Sequence, residues 1–116
     1  VKQTLVLDSE TFNATTVPIN CAGCYMGLTV DLGTAMNDIH VTVYPEVSLN
    51  YLDWYQLVNA TIQDEGEVYP DGVRVSDAGG RAFTLNTKAF KQFRVRINGG
   101  NGVDTIPVAI EMVARS

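Results

Sequence analysis

Phe93-Arg94-Val95-Arg96-Ile97, then Asn98-Gly99-Gly100-Asn101-Gly102, then Thr105-Ile106-Pro107-Val108-Ala109-Ile110-Glu111-Met112-Val113-Ala114 is the stretch whose reading decides the fold. Its first arm alternates strictly. Phe93, Val95 and Ile97 lie on one face and Gln92, Arg94, Arg96 and Asn98 on the other, the pattern of a half-buried strand. The second arm keeps Ile106, Val108, Ile110 and Met112 in phase but carries Ala109 and Val113 between them, which predicts a more deeply covered strand. Joined by a Gly-rich turn, the two arms read as a β-hairpin. A hairpin alone is marginal in water, so other strands must cover its apolar face.

Working back toward the N-terminus, the same period recurs. Thr4-Leu5-Val6-Leu7 is a short apolar run stopped by Asp8-Ser9-Glu10. Thr11 to Thr16 is polar, and Pro18 removes a ladder donor, so the segment through Ile19 predicts an edge strand or a covering loop. Leu28, Val30 and Leu32 alternate with Thr29 and Asp31. Ile39, Val41 and Val43 alternate with His40, Thr42 and Tyr44, and Pro45 limits how far that pairing extends. Thr34 to Asp38, between these two strands, is a connection with room for one helical turn. From Tyr51 to Ile62 the positions of Trp54, Leu57, Val58 and Ile62 suit a helix, but the aromatic and β-branched content favours strand. Val68-Tyr69 and Val73-Arg74-Val75 flank Pro70-Asp71-Gly72, a hairpin signal. Asp77 to Gly80 is a further turn and Arg81 to Leu85 a further strand.

About eight or nine short strands divided by Gly, Pro, Asn and Asp turns predict an all-β fold, a single antiparallel β-sandwich or jelly roll spanning residues 1–116. A chain of 116 residues with 46% hydrophobic content can bury a sufficient core without staples. Charged residues make up 18% and the net charge is −5, so the basic surface that neutralises nucleic acid is missing. No run approaches the ~20 apolar residues of a membrane span, so a soluble domain is expected. The N-terminal Val1 fits loss of an initiator Met or cleavage of a precursor equally well.

Candidate chemistry is sparse. Cys21-Ala22-Gly23-Cys24 has CxxC spacing, yet no βαβ unit accompanies it and only His40 is left as a further soft ligand. Two packed or loop thiols are therefore favoured over a local disulfide or a metal or redox pair. His40 falls on the polar face of its strand with no nucleophile in evidence, and no triad is arguable. Asp64, Glu65, Glu67, Asp71 and Asp77 gather near turns without EF-hand spacing and read as solvated carboxylates. The Gly99 to Gly102 segment lacks the Lys and the helix of a phosphate cradle. Asn13-Ala14-Thr15 and Asn59-Ala60-Thr61 match the glycosylation triplet at about the chance level. No catalytic residue, cofactor or metal is expected. Tyr51, Trp54 and Tyr55, with Tyr44 and Tyr69 as candidate neighbours, are the best candidate contact surface, because aromatic rings supply large area at small entropic cost. A single Trp in a small sandwich is, however, more often a buried packing residue. Arg94 and Arg96 join them. In a chain with only eight basic residues, two arginines on one strand face are a local concentration able to pair with carboxylates on a neighbouring strand or subunit.

The order Leu28 to Gly33, Ile39 to Tyr44, Ser48 through Asp53-Trp54-Tyr55-Gln56-Leu57, and Phe93-Arg94-Val95-Arg96 before a Gly-rich turn and an apolar last strand resembles the small β-sandwich proteins of tailed-bacteriophage virions. These are head decoration, or cement, proteins and related minor head and tail modules. The resemblance implies a non-enzymatic jelly roll, a homo-oligomer with a trimer favoured. It would be made in the host bacterial cytoplasm and bind the major capsid protein or another virion protein on the outer capsid surface. Carbohydrate-binding modules share the rhythm. The alternative is therefore a glycan-binding module with Tyr51, Trp54 and Tyr55 as its stacking platform. Neither reading calls for nucleic acid or a membrane.

Overall fold

The computed structural model describes residues 1–33, 40–57, 60–61, 68–69, 72–76 and 80–116. In chain order the strands are β1 (Lys2–Leu7), β2 (Asn13–Thr15), β3 (Ile19–Asn20), β4 (Tyr25–Asp31), β5 (His40–Ser48), β6 (Tyr55–Gln56), β7 (Ala60–Thr61), β8 (Val68–Tyr69), β9 (Val73–Ser76), β10 (Gly80–Asn86), β11 (Gln92–Gly99) and β12 (Ile106–Arg115). One sheet runs β1-β12-β4-β10. The other runs β2-β11-β5-β6, with β3 added to β11 and β9 added to β5, and β7 pairs with β8 alone. Every pairing is antiparallel. No helix occurs among the described residues. The all-β sandwich read from the sequence is the fold.

Strand alternation builds the core directly. Met26, Leu28 and Val30 of β4 and Ile106, Val108, Ile110 and Met112 of β12 face Val41, Val43 and Val47 of β5 and Phe93, Val95 and Ile97 of β11 across the sandwich, all buried. Each such side chain contributes about 1.5–3 kcal/mol of transfer free energy. Two polar groups tie the layers together. Thr16, itself buried, accepts the Val95 N–H on Oγ1 at 2.9 Å and directs its hydroxyl toward Met112 Sδ at 3.9 Å. At the open side between β1 and β2 the Gln3 amide acts as a strand substitute, donating to the Val17 carbonyl at 3.2 Å and accepting the Val17 N–H at 2.8 Å.

The closing stretch is not a hairpin. β11 is flanked by β5 on one edge and by β2 and β3 on the other, while β12 sits between β1 and β4 in the opposite sheet. The connection is an arch that carries the chain from one layer to the other, through Gly99, Gly100 and Gly102, all at positive φ. An arch and a hairpin demand the same alternation, because both aim the apolar face of each arm at one core; only the partners differ. Coverage is also the reverse of the expectation. Of the outward residues of β12, Pro107, Glu111 and Val113 are exposed and only Ala109 is half-buried, whereas Gln92, Arg94 and Arg96 of β11 are all half-buried.

Among the described residues, the strands that flank Pro70-Asp71-Gly72 are not paired with each other either. β8 pairs with β7, and β9 pairs with β5. Residues 70–71 lie outside the described residues, as do the possible helical turn at 34–38 and the acidic positions 64, 65, 67 and 77. Pro45 does not end its strand. β5 continues to Ser48, and Val95, the register partner of Pro45, directs its own N–H and C=O the other way, to Thr16. The missing N–H therefore falls on the far edge, in the gap where the neighbour changes from β9, which ends opposite Val43, to β6, which starts opposite Glu46.

Candidate functional site

The site lies on the outward face of the six-stranded sheet. Period-two alternation puts Arg94 and Arg96 on that face of β11, and the register with β5 sets Arg94 opposite Glu46 and Arg96 opposite Tyr44. Glu46 bridges the pair. Its Oε1 accepts from Arg94 Nε at 2.8 Å and its Oε2 from Arg96 Nε at 3.3 Å. Each guanidinium also lies over a ring, Arg94 on Trp54 at 4.2 Å and Arg96 on Tyr44 at 4.0 Å from the centroid. The chain order Trp54, Tyr55, Gln56 explains the Trp. Gln56 lies opposite Glu46 in β6, and the segment entering β6 lays Trp54 over the same face.

Burial sets the energetics. The Glu46 side chain is 11% exposed, against 27% for Arg94 and 33% for Arg96. A carboxylate so covered must be compensated, and two charge-assisted hydrogen bonds, one to each oxygen, do so. The cluster carries two positive charges and one negative, hence a net +1 on a chain of net −5. Glu46 is met through Nε on both arginines, which leaves their Nη groups as donors for a second acceptor. The rings hold the planes in place, which lowers the entropy lost on binding a carboxylate or phosphate. Amide pairs extend the polar surface along β11, with Asn98 donating to Asn13 at 2.7 Å and Gln92 to Asn20 at 3.4 Å.

Of the five residues singled out from the sequence, Arg94, Arg96 and Trp54 come together. Tyr51 and Tyr55 do not join them. Tyr51 sits in the β5–β6 turn with Lys91 Nζ 5.5 Å from its ring. Tyr55 is opposite Val47, so it takes the parity of the core side and lines an open apolar pocket of about 340 Å³ with Val47, Leu49, Leu57 and Phe90. Glu46 is the member that sequence reasoning missed. Tyr44, a candidate neighbour of the aromatic cluster, is there as the ring beneath Arg96. Trp54, expected more often in the core, is instead half-buried on the outward face under Arg94. The outward parity of Glu46 and Tyr44 on one alternating strand was visible, but their place beside the arginines depends on the β5–β11 register.

The CxxC segment is a turn. Cys24 N–H donates to the Cys21 carbonyl at 2.9 Å with Gly23 at φ 73°, and the Thr87 hydroxyl donates to the Cys24 carbonyl at 2.8 Å. Both thiols are free. Cys21 is buried, its Sγ directed at the carbonyls of Phe90 at 3.5 Å and Thr87 at 3.7 Å, and burial pushes its pKa up. Cys24 is partly exposed. Among the described residues no group of three or more His, Cys, Asp and Glu side chains converges as a metal-holding cluster.

No protein-family model matches the chain, and no curated protein matches it in sequence. Among solved structures its fold is similar to that of the SPBc2 prophage-derived protein YomS, with a TM-score of 0.61 over 99% of this chain and 96% of that one, at 4% sequence identity.

Proposed function

We propose that this chain is a non-enzymatic structural protein of a tailed-bacteriophage virion, a capsid decoration protein that binds the outer surface of the capsid, through the major capsid protein or another virion protein, and stiffens it. The observation that carries this reading is the Arg94–Glu46–Arg96 bridge on a broad, preorganised sheet face, because such a face works by area and directed charge rather than by a reactive centre. The likeness of fold to a prophage-derived protein supports the phage setting. In this reading the cluster meets an acidic patch on the capsid, and the protein acts as a homo-oligomer.

The test is co-sedimentation of the protein with gently stripped phage capsids, scored for saturable, stoichiometric binding. Combined Arg94→Ala and Arg96→Ala substitution should abolish binding while the far-ultraviolet circular dichroism stays unchanged. Failure to bind every capsid tried would sink the decoration reading. A second reading, a glycan-binding module, draws on the exposed rings of Tyr51 and Tyr55 beside the apolar pocket. Retained affinity in a glycan panel that disappears with Tyr55→Ala would favour it.

A further inference from the structure

Two loops at opposite ends of the six-stranded sheet are the same turn. In Asn50-Tyr51-Leu52-Asp53 the Asn50 Oδ1 accepts the N–H groups of Leu52 at 3.0 Å and Asp53 at 2.8 Å, and Nδ2 donates to Asp53 Oδ2 at 2.7 Å. In Asn101-Gly102-Val103-Asp104 the Asn101 Oδ1 accepts those of Val103 at 3.0 Å and Asp104 at 2.9 Å, and Nδ2 donates to Asp104 Oδ2 at 2.6 Å. The second residue is left-handed in both, Tyr51 at φ 66° and Gly102 at φ 77°. The third is an aliphatic side chain held out in water, Leu52 at 81% and Val103 at 79% exposure. A turn stapled by three hydrogen bonds presents that side chain at low entropic cost.

The two ends differ in what surrounds the tip. The Asn50 turn follows Ser48, opposite Gln92 at the start of β11, and the Asn101 turn follows Gly99 at its end. The length of β11 separates them by about 25 Å. Beside the Asn50 turn opens the apolar pocket. Exposed Lys91 follows its lining residue Phe90 and has its ammonium by Tyr51, while exposed Lys88 stands two residues before Phe90 with its ammonium over the Tyr25 ring. Asp53 of the turn itself adds one carboxylate at this end. Around the Asn101 turn lie Asp104, Asp8, Glu10 and the half-exposed Phe12, whose carbonyl accepts the Gly99 N–H at 3.0 Å. One end is an apolar hollow with a net basic rim. The other is an apolar tip with acidic neighbours.

We propose that copies of this chain associate head to tail, the Val103 tip of one inserting into the Val47–Leu49–Tyr55–Leu57–Phe90 pocket of the next, with Asp104, Asp8 and Glu10 facing Lys88 and Lys91. Charge selects this occupant. At the pocket end the two lysines outnumber Asp53, so two pocket ends brought together would oppose like net charge, as would two tip ends, and of the three pairings only the heterologous one matches net sign. A pocket of about 340 Å³ has room for a valine side chain with part of its turn. Heterologous contacts close into a ring or run on as a filament, and a cyclic trimer requires two different patches of this kind. The inference shares with the decoration reading only the expectation of an oligomer; it needs no capsid.

Sedimentation velocity of the full chain over a wide concentration range tests it. The wild-type protein should associate with increasing concentration and dissociate with added salt. Val103→Asp and, separately, Leu49→Glu should each weaken association about tenfold or more, with unchanged circular dichroism and thermal midpoint. Mixed, these two variants should recover a 1:1 dimer, since one supplies the intact tip and the other the intact pocket. A wild-type protein that stays monomeric throughout overturns the proposal, as does loss of association with Leu52→Asp but not with Val103→Asp. A monomer that still co-sediments with capsids would spare the decoration reading, and an oligomer that ignores capsids would do the reverse.

Discussion

Arg94 donates through Nε to Glu46 Oε1 at 2.8 Å across the β5–β11 register, while Arg96, two residues on, takes the other carboxylate oxygen. The carboxylate is thus the shared counter-ion of two guanidinia that would otherwise repel each other. Glu46→Ala is expected to destabilise the fold by about 1–3 kcal/mol, less than the loss of one partner from a fully buried pair because both arginines are about one-third exposed. Glu46→Gln should cost less, since one oxygen still accepts. Urea denaturation measures both, and equal stability of Glu46→Ala and wild type would refute the shared role.

Thr16 connects the sheets through one hydroxyl. Thr16→Val keeps the volume but strips the buried Val95 N–H of its acceptor, and the cost should be about 1–3 kcal/mol. Thr16→Ser keeps the hydroxyl and should lose no more than about 1 kcal/mol, the transfer value of a methyl-sized group. Equal loss in the two variants would mean that packing, rather than the hydrogen bond, is what the residue supplies.

Gly72 is tied to the arginine cluster through Tyr44. At φ 89° an added Cβ would stand 2.9 Å from Tyr44 Cδ1 and Cε1 and from the Val43 carbonyl. Gly72→Ala therefore combines left-handed strain of about 1–2 kcal/mol with a clash against the ring that carries Arg96. A total of at least about 2 kcal/mol is expected in thermal denaturation, together with a changed near-ultraviolet tyrosine signal. A neutral result would show that β9 shifts freely at this point.

The two thiols should react in sequence. Cys24 is partly exposed and should take an alkylating reagent in the folded protein, whereas buried Cys21 should react only on unfolding. Burial holds the Cys21 proton above the ordinary thiol value of 9.0, and the Thr87 contact opposes this only in part. The sign follows. The stabilising contribution is complete below the unfolded value and is lost as pH rises through the folded one, so the thermal midpoint should begin to fall above about pH 9. Mass spectrometry counts the labels. Two equivalents at once in native buffer would contradict the burial.

The sandwich was legible because alternation in β4, β5 and β11 names the buried face of each strand without naming its neighbour. Partnership was not legible, and both misread hairpins, at Gly99–Gly102 and at Pro70-Asp71-Gly72, fail for that reason. Turn chemistry reports local backbone angles, but which sheet accepts the next strand is decided by long-range packing. The candidate site divides along the same line. Arg94 and Arg96 share a face by parity alone. Glu46 reaches them only through a register set by packing, and Tyr55 leaves the expected aromatic platform because β6 aims it to the core side of the sheet.

The arch between β11 and β12 also governs how the chain folds. β12 fills a slot between β1, some hundred positions earlier in sequence, and β4, so one sheet stays split until β12 has been synthesised. The earlier strands must hold apart two unpaired edges for that time, and both pairings that β12 makes close long loops. Folding in milliseconds to seconds rather than microseconds is the expected kinetic signature. The unfilled slot is where a stalled nascent chain would capture the β12 of a neighbour.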